Sequence, residues 1–129
     1  MREPWGADHL HHLLDAALGI DGADQVEARA VHAWGGLARF ARSTVHQHVA
    51  GDDTTVSVRV VTRGRVGVAS TNEVNPAGVA ATGERALASA RLSPPDPTFP
   101  GLAGPAPLPP VGPRFDAATA AASPERRSR

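Results

Sequence analysis

Cysteine is absent from this sequence, and every basic side chain apart from histidine is arginine. The first absence excludes disulfides, thiolate nucleophiles and any metal site built on sulfur, and it fits a reducing compartment. The arginines are balanced by carboxylates, giving a formal net charge of 0. A nucleic-acid-binding domain ordinarily carries a basic excess that neutralises phosphates, and none is present overall. Long apolar runs are missing as well: no stretch approaches the roughly 20 apolar residues that span a bilayer. Met1-Arg2-Glu3-Pro4-Trp5 leads into a polar, histidine-rich segment instead of an apolar one, so no secretory signal is expected. Aromatic residues are confined to Trp5, Trp34, Phe40, Phe99 and Phe115. The core must therefore be built from Val, Leu and Ala, which bury little area each at roughly 25 cal/mol per Å². A marginal domain that gains from a covering partner is the expectation.

What is present reads as short elements in order. Asp8 is placed to cap a helix in which Leu10, Leu13, Leu14, Ala17 and Leu18 recur with amphipathic spacing, and Gly19 ends it. Residues 25–32 alternate, with Val26, Ala28 and Ala30 on one face and Glu27, Arg29 and Val31 on the other. Gly35-Gly36 is expected to turn the chain into a second extended stretch, 37–49, and Gly51-Asp52-Asp53 to turn it again. The clearest strand is 54–61, with Val56, Val58 and Val60 facing one way and Thr55, Ser57 and Arg59 the other. Arg63-Gly64 makes a tight turn into 66–70, the Gly supplying a positive φ. Asn75 as cap and Pro76 at the first helical position open a second helix. Val79, Leu87 and Ala90 mark its apolar stripe, and it stops near Leu92 before Pro94-Pro95. The Pro- and Gly-dense stretch 93–113 reads as an extended linker or arm. Asp116 and Ser123-Pro124-Glu125 then carry helix-start signals, so the sequence predicts the opening of a further, truncated domain.

This order, and the residues that fill it, resembles the N-terminal region of the TldD/PmbA metallopeptidase family. The resemblance is carried by Ala23-Asp24-Gln25-Val26-Glu27-Ala28-Arg29, by Phe40-Ala41-Arg42-Ser43-Thr44-Val45-His46-Gln47, and by Thr55-Val56-Ser57-Val58-Arg59-Val60-Val61 running through Gly64-Arg65-Val66-Gly67-Val68-Ala69-Ser70-Thr71-Asn72. Phe115-Asp116-Ala117-Ala118-Thr119 and Ser123-Pro124-Glu125-Arg126 extend it after the arm. The resemblance implies a cytoplasmic zinc-dependent peptidase subunit as the parent, working as a homo- or heterodimer with another TldD/PmbA-type subunit on a peptide substrate. Active members of the family carry His-Glu, three residues, then His. That pattern does not occur in this sequence, and the family also contains paired subunits that lack it.

Several residues invite chemistry. His9, His11 and His12 offer imidazoles at helical spacing, and His46 and His48 share a strand face. Zinc wants three or four ligands, and no further donor is spaced to join either set, so a solvated helix start and a polar strand face are the expectations. Glu27 lacks an evident second group for acid–base work; a cross-strand pair with an Arg is expected. Arg59, Arg63 and Arg65 gather on one hairpin and could meet nucleic acid or an acidic peptide, although no aromatics interleave them. Ser70-Thr71-Asn72 has too few glycines for a phosphate cradle and reads as local turn capping.

The expectation is an α+β fold: a four-stranded antiparallel sheet with two helices on one face, followed by a Pro/Gly-rich arm. Residues 1–92 would form the N-terminal domain, 93–113 the linker or arm, and 114–129 the start of a following, truncated domain. No catalytic, cofactor-binding or metal-ligating residue is assigned to this chain, whose part in proteolysis would be scaffolding. One alternative is a stand-alone peptide- or protein-binding module using the 54–70 hairpin edge for strand addition. Another is nucleic-acid association through Arg59, Arg63 and Arg65. Neither a membrane nor nucleic acid is the expected partner.

Overall fold

The computed structural model describes residues 5–107, 109, 110, 112 and 114–127. Met1–Pro4, and Leu108, Val111 and Pro113 of the expected arm, lie outside the described residues. The chain divides into two compact units, one of Trp5–Val31 with Thr54–Ala106 and one of His32–Asp53 with Pro107–Arg129 at its described positions.

Three strands form the sheet in the order β1-β2-β3, where four were expected. β1 is Gln25–Ala41, β2 is Thr44–Thr62 and β3 is Arg65–Thr71. Neither Gly35-Gly36 nor Gly51-Asp52-Asp53 turns the chain; both lie within strands. The reversal falls instead at Arg42-Ser43, with φ of 51° and 58°. Two consecutive positive φ values are the mark of the tight hairpin turn whose twist matches the flanking strands. Asn and Gly usually supply them, so Arg-Ser carries no turn signal, while glycine tolerates an extended backbone as readily as a turn. The second hairpin is as expected: Arg63 and Gly64 have φ of 50° and 68°, and β2 pairs antiparallel with β3 from Thr62 opposite Arg65 to Val56 opposite Thr71.

The larger unit holds the core. α1, Ala7–Leu18, is capped by the extended backbone of Gly6, not by Asp8, which sits in the first turn. There its charge favours the positive helix end without closing a side-chain cap. α2, Pro76–Leu92, starts as its sequence predicts: Asn75 Oδ1 accepts from Gly78 N at 2.8 Å, with Pro76 at the first position. Leu13 and Ala17 of α1, Val56, Val58 and Val60 of β2, and Val79, Ala86 and Leu87 of α2 form one buried core, and Val26, Ala28 and Ala30 of β1 pack against it. Both helices thus cover the same face of the sheet. Fully burying a Val or Leu side chain is worth roughly 1.5–3 kcal/mol, so this small set carries most of the unit's stability.

Glycine sets the interlayer spacing. A Cβ at Gly67 on β3 would strike the Ala86 carbonyl and the Ala90 amide of α2, and one at Gly83 of α2 would strike Ile20 after α1. Helix backbone therefore lies directly on β3.

The backbone over 93–106 is irregular, but it is tied to its own domain. Asp96 N donates to Gly64 O and Leu102 N to Gln25 Oε1, both at 2.8 Å.

The smaller unit contains the outer halves of β1 and β2 with α3, Ala117–Ala120, and α4, Pro124–Arg127. Asp116 caps α3 by accepting from Thr119 N at 2.6 Å. None of this unit's described residues is buried.

Candidate functional site

The residues singled out in the sequence separate in space. His9, His11 and His12 are exposed on α1, and His9 meets Trp5 edge-on with ring centres 5.0 Å apart. His46 and His48 are exposed on β2. Among the described residues no group of three or more His, Asp or Glu side chains converges on a point. Zinc, which the family resemblance implies, takes three protein ligands at a catalytic site and four at a structural one; the donors described in this chain do not fit it.

Glu27 forms the cross-strand pair that its place in the sequence suggests: Glu27 Oε2 accepts from Arg59 Nη2 at 2.7 Å. Both side chains are about half exposed, so solvent screening keeps the pair's contribution small. Ser70 Oγ lies 2.9 Å from Ser57 Oγ, and Thr71 Oγ1 accepts from Glu73 N at 3.0 Å, which is local turn capping.

The arginine hairpin does not present one basic surface. Arg59 is drawn to Glu27. Arg65 shares the helix-facing parity of Gly67 and reaches the end of α2, where its Nη1 donates to Arg91 O at 3.3 Å and Ser93 O at 2.6 Å. A cation on the last carbonyls of a helix neutralises the negative end of its dipole. Arg63 donates its backbone N to Asp24 Oδ2 at 2.5 Å, fixing the turn against the start of β1. The hairpin register pairs Thr62 with Arg65 and Arg59 with Val68, and alternate strand residues face opposite sides, so Arg59 and Arg65 lie on opposite faces. A different set is brought together: Arg63, Arg65 and Arg91, with Gly22 and Thr62, line a recess of about 360 Å³.

In the smaller unit a groove of about 950 Å³ is lined by residues including Trp34, Gly36, Asp52, Arg114, Phe115 and Arg127. His32 Nε2 lies 3.0 Å from Asp52 Oδ1, and the Trp34 ring lies tilted against His32 and Phe115, with ring centres 5.0 and 6.2 Å away. None of these contacts was foreseen. The signal was there: His32 and Trp34 continue the alternation of Val26, Ala28 and Ala30 on β1, but it is hidden once Gly35-Gly36 is read as a turn. A His–Asp pair orients an imidazole.

Three exposed carboxylates titrate below their ordinary range. Asp96 is lowered by the Thr98 hydroxyl and amide, Asp116 by Thr119, and Glu125 chiefly by Ser123, with smaller help from His48 and Arg127. Each accepts hydrogen bonds at a turn or helix start, which favours the charged form, and the roles are structural.

The three-stranded meander with two helices on one face is an α+β domain. The structure of TldE from Thermococcus kodakarensis superposes with a TM-score of 0.67 at 19% identity, covering 82% of this chain and 24% of that chain. The model of the PmbA/TldA metallopeptidase domain 1 matches residues 26–90, and the chain belongs to that family. It spans about a quarter of the TldE chain (24%). No curated protein matches the sequence.

Proposed function

We propose that this chain acts as a non-catalytic N-terminal scaffold of a TldD/PmbA-type zinc metallopeptidase subunit, helping to enclose a chamber for peptide substrates and to make dimer contacts. The observation that carries this reading is the family match over residues 26–90, which spans the β1–α2 framework. On this reading residues 1–92 are the domain proper, 93–113 a linker or arm and 114–129 the start of the next domain. The partner is another TldD/PmbA-type subunit, in a homo- or heterodimer, and the compartment is the cytoplasm. Among the described residues no helix is long and apolar enough to cross a membrane. Zinc belongs to the catalytic remainder of the assembly; the dispersed histidines described above support placing no metal in this chain.

Strand addition remains a second reading, with its site narrowed. Within the 54–70 hairpin β2 is flanked on both sides, so only β3 offers an edge. Against the nucleic-acid reading stands the engagement of Arg59 and Arg65 with separate partners within the domain.

The test has two halves. The dialysed chain alone should retain no stoichiometric zinc and cleave no peptide in a chelator-sensitive way. Mixed with a metal-bearing TldD/PmbA-type subunit, it should co-elute as a stoichiometric complex. One zinc per isolated chain with chelator-sensitive cleavage would overturn the proposal.

A further inference from the structure

We infer that the recess at the C-terminal end of α2 is a binding site for a compact oxyanion, a phosphate or carboxylate group held by Arg63 and Arg91 with Arg65 as their fixed support. Five residues line it, three of them arginines and none a carboxylate. The three come from separate places: the β2–β3 turn, the first position of β3 and the last turn of α2. Folding thus concentrates like charge at one point of a chain whose formal net charge is 0. Arg63 and Arg91 are exposed, so solvent screens much of their mutual repulsion, and an anion between them relieves the rest.

The three guanidiniums differ in what they already hold. Arg65 is committed to the Arg91 and Ser93 carbonyls, which cancels the negative helix end that would otherwise repel an anion. Arg63 and Arg91 have no acceptor for their guanidinium groups among the described residues. Asp24, the carboxylate nearest the turn in the bonding pattern, has Oδ2 on the Arg63 backbone amide.

Two backbone features favour the same reading. Arg63 has φ of 50°, a conformation in which a long side chain is costly and Asn or Gly is preferred. The hairpin requires that positive φ, as at Arg42-Ser43, but it does not require an arginine side chain. Gly22 has φ of 83°, and a Cβ there would lie 3.1 Å from Arg91 Nη2. The glycine leaves the Arg91 guanidinium room beside the recess. Planar guanidiniums match the oxygens of phosphate and carboxylate two at a time.

The experiment titrates inorganic phosphate, and separately succinate, into the full chain at ionic strength held constant with chloride, following arginine side-chain resonances. Saturable binding is expected, with Arg63→Asn and Arg91→Gln each weakening it about tenfold. Arg63→Asn suits the turn better than arginine does, so its melting temperature should hold or rise while binding falls, which separates a lost site from a lost fold. Arg126→Gln, in the other unit, should change nothing. Tighter phosphate identifies a phosphate group as the occupant; tighter succinate identifies a carboxylate. The inference is overturned if neither anion saturates beyond chloride, or if Arg63→Asn binds like the parent.

Discussion

Gly67 on β3 and Ala86 on α2 approach so closely that a single methyl group at position 67 would run into the Ala86 carbonyl. The neighbour is helix backbone, which cannot rotate aside as a side chain could. Gly67→Ala should therefore push α2 off the sheet. Overpacking of this kind typically costs about 1–3 kcal/mol, and Gly67→Val should cost more. Urea unfolding of both variants measures it; a Gly67→Ala midpoint equal to the parent's would show that the helix sits higher than described.

Val58 and His46 lie on the same strand but differ in surroundings. Val58 is fully buried in the core and His46 is exposed. Val58→Asp places an unpaired carboxylate among apolar side chains at a cost of several kcal/mol, a large part of the roughly 5–15 kcal/mol that holds a domain together. His46→Ala should stay within about 0.5 kcal/mol. Thermal melts should show an unfolded first variant and an unchanged second one.

The turn at Arg42-Ser43 places two residues with side chains at positive φ. Substituting Arg42→Asn together with Ser43→Gly supplies the residues this geometry favours. The outer hairpin should become more ordered, with slower amide exchange over 37–49. Faster exchange in the double variant would show that the arginine or serine side chain holds the turn by some other contact.

Acid should loosen the segment after α2 at one identifiable place. Asp96 accepts from the Thr98 hydroxyl at 2.7 Å and amide at 2.8 Å, and these bonds lower its pKa. A lowered folded-state pKa means that the contribution is complete above the ordinary aspartate range and is lost as pH falls through the lowered value. The Thr98 amide shift should follow the Asp96 titration in an NMR pH series, and Asp96→Asn should flatten that response. An Asp96 titrating at or above the range of a free aspartate contradicts this. The bonds from Asp96 to Gly64 and from Leu102 to Gln25 also set where proteases enter at neutral pH. The earliest cuts should fall beyond Leu102, over 103–107, sparing Phe99.

The larger unit was largely legible because local signals and tertiary packing agree there. Asn75-Pro76 opens α2, Gly64 completes the second hairpin, and the alternation of Val56, Val58 and Val60 fixes the buried face. The first hairpin was not, because its turn lies at residues with no turn preference while Gly35-Gly36 and Gly51-Asp52-Asp53 nearby mimic one. Of the arginine recess, the sequence shows Arg63 and Arg65 side by side. Arg91 joins them only through the packing of α2 on β3, a contact that no local pattern encodes. Arg59, the apparent third member, lies on the other face of the hairpin, because the register across the turn pairs it with Val68 and pairs Arg65 with Thr62.

The meander order of the sheet has a kinetic consequence. Each strand pairs with its neighbour in sequence, so the sheet closes through short loops, which is the arrangement that folds quickly. α1 is different: it precedes all three strands yet rests against α2, which follows them. Its docking closes a far longer loop than either hairpin and should come later than the sheet. Leu13 and Ala17 would then govern how slowly the domain opens, while the valines of β2 govern how fast it forms.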